Sequence, residues 1–391
     1  ISAFASHLSP KIDPFMYKTF IITAVMLTMT ACSSGDTKRT GPADRSATPE
    51  TVNMLAGLKQ AAGQGIMFGH QDDLSYGIGW VYPGGESDVK RVIGDYPAVY
   101  GMDLGDIEHR SPVNLDSVPF DDMKVFVQQI WERGGVITFS WHVDNLLTGG
   151  TAWDVSSDRA VASVLPGGEK HEEFKGWLDN LAVFLASLRD EKGVAVPVIF
   201  RPWHEHTGSW FWWGQNLCTT EEFVALWRFT FDYLCREKNL HNLLFAYSSG
   251  GDIDNSEQYL ERYPGDDFVD LIGFDYYQMP DAGNSSFREN VSRVLGIVTE
   301  AAVAHGKLAA LTEAGYEGIP DSAWWTTTFW PAMENHRISY ALVWRNAHNR
   351  PGHFYAPHPG QVSGQDFISF YGFRETLFQS EVTALSIYKQ E

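Results

Sequence analysis

Eight short apolar runs, separated by segments with helical periodicity, are the feature that most narrows the folds open to this chain. The runs are continuous rather than alternating, which is typical of parallel strands buried on both faces. They cover Ile66–His70, Ala98–Met102, Val136–Trp141, Val198–Phe200, Leu243–Tyr247, Val269–Phe274, Leu308–Leu311 and Ser339–Val343. Eight β/α units are the number in a TIM barrel. We therefore predict an α/β fold, a single (β/α)8 barrel with long βα loops.

The segments between the runs agree with this architecture. From Met123 onward, apolar side chains recur at i, i+3, i+4 and i+7, the pattern of one helix face. Gly134 and Gly306 stand where two such helices should end. A doubly wound sheet is the rival fold, but it usually carries a glycine-rich phosphate turn after its first strand. Here the first run leads into Gln71-Asp72-Asp73, which does not form such a turn.

The first 49 residues have a different character. Residues 1–15 carry no recognisable signal and read as an over-long start ahead of Met16. Residues 16–32 combine a short basic segment, an apolar run too short to span a bilayer, and Cys32. They resemble a lipoprotein signal peptide with a lipobox cysteine as the lipidation site; an ordinary signal peptide is the alternative. Residues 33–49 predict a flexible tether, which leaves residues 50–391 as the folded domain.

Composition limits the partners of this chain. It has 29 Lys+Arg against 49 Asp+Glu, a formal net charge of −20, and so lacks the basic face that nucleic-acid binding requires. We expect no nucleic-acid partner, a monomer, and membrane contact only through an N-terminal lipid anchor. The expected location is the periplasm or the outer membrane and cell surface, as for an exported bacterial lipoprotein. With Cys32 lipidated, pairing of Cys218 with Cys235 stays open.

A polar or aromatic residue follows nearly every apolar run, where a barrel of this kind places its chemistry. These residues are His70, Asp103, His142, Glu205, Ser248, Asp275 with Tyr277, Glu313, and Trp344 with Arg345. Glu205 and Glu313 stand out because each leads directly out of an apolar run. Two facing acids meet the requirement for glycoside hydrolysis: one protonates the leaving oxygen while the other attacks the anomeric carbon or activates water.

Several segments of the sequence resemble glycoside hydrolase family 26, whose members are mostly β-mannanases. RPWHEHTGSWFWWG (Arg201–Gly214) is similar to the family's acid/base segment, and LTEAGYEG (Leu311–Gly318) to its nucleophile segment. Ser140–His142, Gly273–Tyr277 and Val343–Asn346 also fit, and the resemblance covers roughly residues 50–385. It implies cleavage of β-1,4 bonds in mannan, galactomannan or manno-oligosaccharides by double displacement, with no cofactor. Internal cutting and release of mannobiose both stay open.

The resemblance also assigns roles to individual residues. Glu205 would be the acid/base and Glu313 the nucleophile. The substrate-binding residues would be His142, His204, Trp210, Tyr277 and Trp344, with Tyr277 hydrogen-bonded to the nucleophile and Trp344 under the sugar at subsite −1. Supporting roles are expected for Arg201, Asp275, Arg345 and His70. Apolar neighbours and the charge of Glu313 would raise the pKa of the acid.

Other aromatic residues are divided between packing and binding. We expect Phe211 and Trp213 to pack in the core. Four further tryptophans fall on apparent βα loops and are candidates to line distal sugar subsites: Trp80, Trp153, Trp324 and Trp325.

Histidines near Glu205 raise the question of a metal. His204 and His206 flank Glu205, but the string lacks the HExxH spacing, and side chains two residues apart at a strand end are not arranged as on a helix. We expect no catalytic metal, while a structural calcium stays open. The alternatives to a mannanase are the same machinery acting on a β-glucan or β-xylan, and a non-catalytic glycan-binding lipoprotein. A binder has no use for both glutamates.

Overall fold

A computed structural model of the chain describes residues 41–82 and 84–389. Eight parallel strands form its centre: β1 (Ile66–Gln71), β2 (Val99–Asp103), β3 (Val136–Ser140), β4 (Val198–Arg201), β5 (Leu243–Gly250), β6 (Leu271–Gln278), β7 (Leu308–Tyr316) and β8 (Tyr340–Val343). Each strand pairs with the next along the chain, and β8 pairs back with β1, so the sheet closes. The predicted (β/α)8 barrel is therefore confirmed.

Three strands extend by three or more residues beyond the carboxyl ends of the apolar runs that predicted them. β5, β6 and β7 continue toward the mouth of the barrel, which is the end formed by the carboxyl ends of the strands. Asp275, Tyr277 and Glu313 therefore lie on strands and not after them. Hydrophobicity does not mark these strand ends because their side chains are polar groups that meet partners inside the mouth.

Helices surround the barrel and return the chain to the start of the next strand. They are α1 (Pro49–Ala61), α2 (Asp88–Ile93), α3 (Phe120–Arg133), α4 (Ala160–Val164), α5 (His171–Ser187), α6 (Thr220–Asp232), α7 (Ser256–Leu260), α8 (Asn284–His305), α9 (Trp330–Met333), α10 (Gly364–Tyr371) and α11 (Gln379–Leu385). As predicted, α3 and α8 end at Gly134 and Gly306, which adopt φ of +80° and +68°. Glycine takes this left-handed conformation without the steric cost that a Cβ imposes.

Helix α1 closes one end of the barrel. Its Met54, Leu55 and Leu58 are buried and form one apolar cluster with strand residues such as Met67 and Ile199. A larger cluster fills the space between the strands and the outer helices. With the end at the strand starts sealed, the opposite end, at the carboxyl ends of the strands, is left for a site.

Residues 41–48 are packed against the closed end of the barrel, although the sequence predicts a tether there. The Ala43 N–H donates to Asp270 Oδ1 at 2.6 Å, and the His241 ring pairs with Asp44 Oδ2 at 2.7 Å. The Thr48 N–H also donates to the His241 carbonyl at 2.8 Å. In this stretch the structure differs from the predicted tether, because two backbone N–H groups and the Asp44 carboxylate bind groups at the strand starts instead of solvent. Residues 1–40, with the predicted over-long start, signal peptide and Cys32, lie outside the described residues.

Two further observations concern cysteines and membranes. Cys218 and Cys235 are free thiols, so the pairing that the sequence left open is not made. Within the described part of the chain, no helix combines the length and apolar character needed to span a bilayer.

Candidate active site

Glu313 lies on β7 and is buried in the mouth of the barrel. The Arg201 guanidinium donates a charge-assisted hydrogen bond to its Oε1. The Tyr277 hydroxyl donates to its Oε2 at 2.7 Å. Both carboxylate oxygens therefore have a partner, which fixes the orientation of the group.

Asp275 stands beside Glu313 because the register of β6 and β7 shifts between Phe274 and Asp275. Its Oδ2 accepts a hydrogen bond from Arg201 at 2.8 Å. Burial raises the pKa of Asp275 to about 7, with Glu313 adding to the rise and Arg201 opposing it. Burial works against the charge of Arg201, but the two carboxylates raise the pKa of its guanidinium. Arg201 is therefore a fixed cation between the two acids.

Glu205 follows β4 in a strained turn. Pro202 cannot continue strand pairing, and Trp203 and Glu205 adopt φ of +53° and +52°. This left-handed conformation costs a residue with a Cβ roughly 1–2 kcal/mol. The Glu205 N–H donates to the Ser248 carbonyl at 2.9 Å, and Trp213 Nε1 donates to the His204 carbonyl at 2.8 Å. These bonds hold the strained turn and direct the Glu205 side chain toward Glu313.

The separation of the acids distinguishes two reaction types. One carboxylate oxygen from each of Glu205, Asp275 and Glu313 lies within 4.8 Å of the other two. Retaining glycosidases hold their two carboxyl groups about 5–5.5 Å apart, whereas inverting enzymes need about 6.5–9.5 Å to admit a water. Burial raises the pKa of Glu205 to about 8, and the charges of Asp275 and Glu313 add to the effect. Glu205 is thus protonated at neutral pH, as a general acid must be.

The three carboxylates are close enough to share a cation, but the Arg201 guanidinium already pairs with Asp275 and Glu313. At the rim, the ligand atoms of three other side chains also converge: Asp106, His109 and Asp144. There His109 Nε2 and Asp144 Oδ2 already contact each other at 2.9 Å. Neither donor set is the histidine-rich one of a catalytic zinc site.

Two histidines line one wall of the mouth. His142 Nδ1 lies 2.7 Å from Asp103 Oδ2, and its Nε2 lies 3.1 Å from His204 Nε2. Trp153 stacks on His142 with ring centroids 5.1 Å apart and planes at 15°. The Trp344 ring meets His142 edge-on at 6.4 Å. The structure thus brings together His142, His204 and Trp344, as the resemblance implied.

Trp210 combines an exposed ring with a contact to the acid. Its side chain is 43% exposed, and its Nε1–H donates to Glu205 Oε2 at 2.5 Å. Phe211 and Trp213 are buried and stacked on each other, with centroids 4.6 Å apart, as the sequence predicted. The loop therefore divides its aromatic residues between packing and a surface that a sugar can reach.

Arg345 and His70 lie at strand ends, but their partners are not the two glutamates. Arg345 pairs with Asp116 at 2.8 Å and donates to the Tyr76 hydroxyl at 3.2 Å. His70 pairs with Asp73 at 2.7 Å. Arg345 and His70 therefore contact the loops after β1 and β2, and they can affect the two glutamates only by holding these loops in place.

The four tryptophans predicted for distal subsites differ in how far they are exposed. Trp324 and Trp325 are fully buried, and their indole N–H groups donate to Gln278 and Ser363. The prediction is wrong for these two, because Trp324 packs against Phe287 of α8 and Trp325 against Phe367 of α10. Trp80 is partly buried and donates to Asp88 Oδ1. Of the four, Trp153 is 49% exposed and borders the site.

Sequence reasoning left two neighbours of the site without a role. Asp103 ends β2 and was visible as one of the strand-end acids, yet only the fold shows that it pairs with His142. Tyr355, from the loop after β8, packs edge-on against Tyr277 at 5.6 Å. No pattern in the sequence marks that residue.

An eight-stranded barrel with two close carboxyl groups in its mouth, one protonated and one anchored by an arginine and a tyrosine, is the arrangement of retaining glycoside hydrolases. Comparison with known proteins narrows this class. The chain belongs to glycosyl hydrolase family 26, whose model matches residues 43–347.

Solved and curated relatives agree with this assignment. A family 26 β-mannanase from Bacteroides ovatus is 50% identical, with a TM-score of 0.85 over 88% of this chain and 98% of its own. A modular endo-β-1,4-mannanase from Cellulomonas fimi is 34% identical, with a TM-score of 0.79 over 90% of this chain and 80% of its own. A mannan endo-1,4-β-mannosidase of Bifidobacterium adolescentis is 35% identical over 70% of this chain, which spans 28% of that relative's length.

Replacing Arg201 with methionine is expected to lower the free energy of unfolding by about 3–5 kcal/mol, because two buried carboxylates lose their shared cation. Urea denaturation followed by circular dichroism measures this. The matched control is Arg159→Met, which removes an exposed pair with Glu169 at 2.9 Å and should cost about 0–1 kcal/mol. Equal losses in the two variants would contradict a special role for Arg201.

Replacing Trp210 with phenylalanine keeps an aromatic ring but removes the donor to Glu205. The acid then holds its proton more tightly, so the alkaline limb of kcat/KM should move up by about 0.5–1 pH unit. The pH dependence of initial rates measures the limb. Trp153→Phe alters an aromatic residue at the mouth without such a bond and should leave the limb in place; a limb unmoved in Trp210→Phe would refute the effect.

Proposed function

We propose that the protein hydrolyses β-1,4-mannosidic bonds in mannan, galactomannan or manno-oligosaccharides by double displacement with retention. The observation that carries the proposal is the pair of glutamates in the mouth. Glu205 and Glu313 approach within 4.8 Å, and their surroundings differ: burial keeps Glu205 protonated, while Arg201 and Tyr277 anchor Glu313.

The geometry supports a two-step reaction. Glu205 donates its proton to the glycosidic oxygen while Glu313 attacks the anomeric carbon. The glycosyl–enzyme that results has no charge on Glu313, so one cause of the raised pKa of Glu205 disappears. Glu205, now a carboxylate, removes a proton from the incoming water, and the second attack restores the original configuration.

The choice of mannan over another β-glycan is supported by the relatives. The Bacteroides ovatus, Cellulomonas fimi and Bifidobacterium adolescentis proteins are all described as mannanases or mannan endo-mannosidases. His142, His204, Trp210 and Trp344 surround the two glutamates and would contact the sugar rings on either side of the bond.

The test is a time course of the products from linear β-1,4-mannan, separated by chromatography. Release of a ladder of oligosaccharides at early times indicates internal cutting, and mannobiose alone indicates a cleft closed at one end. Proton NMR of the first product should show the β-anomer before mutarotation. Hydrolysis of β-glucan or β-xylan in place of mannan would overturn the substrate, and an α-anomer would overturn the mechanism.

We further propose that the protein is an exported, monomeric lipoprotein anchored through Cys32. The lipobox resemblance supports this, and so does the entry of the chain at residues 41–48, on the closed end of the barrel opposite the mouth. Labelling of expressing cells with a palmitate analogue tests it. The full chain should incorporate label and Cys32→Ser should not; label in both, or in neither, would contradict the anchor.

A further inference from the structure

Asp103 is a fully buried carboxylate whose hydrogen-bonding capacity is taken up by three neighbours. Its Oδ1 accepts from the Gly105 N–H at 2.7 Å. Its Oδ2 accepts from the Ser140 hydroxyl at 2.5 Å and faces His142 Nδ1 at 2.7 Å. An ionised carboxylate only accepts hydrogen bonds, so His142 carries a proton on Nδ1.

The hydrogen bond between the two histidines can then run in either direction, with His142 or with His204 as the donor. One proton lies between His142 Nε2 and His204 Nε2, which are 3.1 Å apart. If His142 is an imidazolium, it donates this proton, and the neutral His204 ring carries its own proton on Nδ1. If His142 is neutral, its Nε2 is an acceptor; His204 must donate from Nε2, and its Nδ1 becomes an acceptor.

The groups around the two rings favour donation from His142 to His204. Burial alone would lower the pKa of His142, but the Asp103 carboxylate raises it. Burial, with the Arg201 and His142 charges, lowers the pKa of His204 well below its usual range. His142 also faces three other charged groups, Glu313, Arg201 and Asp116. Its imidazolium form is thus held between an anion and a neutral ring.

The last atom in this chain of contacts is His204 Nδ1. This buried atom has no hydrogen-bond partner among the described residues, whereas both nitrogens of His142 are engaged. A buried polar atom left unpaired costs free energy, and His204 is adjacent to the acid Glu205. A sugar hydroxyl in the mouth would supply the missing partner.

We propose that Asp103 is a positioning residue that fixes the direction of hydrogen bonding along Asp103–His142–His204, so that His204 presents Nδ1–H as a donor to a sugar hydroxyl. The inference rests on the proposed glycosidase function. Asp103 itself touches neither the substrate nor the reacting atoms; it acts through the charge that it maintains on His142.

The test is Asp103→Asn, which keeps the shape of the side chain but removes its charge. The Gly105 N–H can only donate, so the amide oxygen faces it and the amide NH2 group faces His142 Nδ1, which must then accept. His142 in this variant is therefore neutral, with its single proton on Nε2. We expect kcat/KM on mannotetraose to fall about ten-fold, because a neutral ring supports His204 more weakly than an imidazolium does, and nitrogen-15 NMR should show His142 Nδ1 without its proton. An unchanged kcat/KM, or a His142 that stays doubly protonated in the variant, would overturn the proposal.

A matched control and a second readout separate the possible outcomes. Ser140→Ala removes a neutral hydrogen bond from the same Asp103 oxygen but keeps the charge, so His142 should stay doubly protonated and kcat/KM should stay close to the wild-type value. Nitrogen-15 NMR of histidine-labelled protein should show His142 doubly protonated and His204 in the Nδ1–H form; signals lost in His142→Gln and His204→Asn give the assignment. A neutral His142 in the wild type at neutral pH overturns the proposal. An enzyme inactive on every β-glycan overturns the proposed function but leaves this NMR result valid.

Discussion

Replacing Glu313 with alanine is expected to lower kcat on manno-oligosaccharides by about 10⁴-fold or more, with the fold and glycan binding retained. The covalent step then lacks its nucleophile. Asp275 is the nearest other carboxylate, but hydrogen bonds from Arg201, Ser248 and Thr312 hold it in place. It does not take over the attack.

Chemical rescue gives this prediction a sharper readout. The space left by the Glu313 carboxylate admits azide or formate, which attacks the anomeric carbon directly and yields a product of inverted configuration. Glu172→Ala, on the exposed face of α5, is a matched glutamate control and should behave as wild type. Wild-type rates on an activated aryl mannoside by the Glu313→Ala variant would show that another residue is the nucleophile.

Replacing Glu205 with alanine should separate the two chemical steps. Hydrolysis of mannan needs a proton on the leaving oxygen and should fall about 10²–10⁴-fold. An aryl mannoside with an acidic leaving group needs no such proton, so its first step is largely spared and the second step becomes slow. The variant should therefore release a burst of the phenol, followed by a slow steady state. The alkaline limb at a pH of about 8 should also disappear, because the group that titrates there is gone.

Azide distinguishes this variant from the nucleophile variant. It attacks the glycosyl–enzyme from the face that Glu205 normally serves, so the mannosyl azide should keep the configuration of the substrate. Glu261→Ala, beyond α7 at the edge of the fold, is the control. An equal loss on mannan and on the activated substrate would contradict the assignment of Glu205 as acid/base.

Apolar periodicity was sufficient to place most of the barrel. Buried parallel strands read as continuous apolar runs, so all eight were located, and Gly134 and Gly306 marked helix ends. On β5, β6 and β7 the apolar runs end several residues before the strands do. Apolar periodicity also missed the packing of residues 41–48, since that packing depends on bonds to Asp270 and His241, which are remote in sequence.

The candidate site was predictable in its residue types and less so in its connections. Arg201, Glu205 and Glu313 stand in recognisable segments at strand ends. That Arg201 joins Asp275 to Glu313, and that Trp324 and Trp325 turn into the core, follows from register and loop packing, which local sequence does not encode.

The sequence by itself determined the barrel, the family resemblance and the two glutamates, because these depend on periodicity and on short contiguous motifs. Only the tertiary structure decided how the glutamates divide their work. Their separation, the burial that raises the pKa of Glu205, and the contacts of His142 with Asp103 and His204 are set by atoms tens to hundreds of residues apart in the chain. Protonation depends on distance and desolvation, and these quantities exist only once the strands have closed into a barrel.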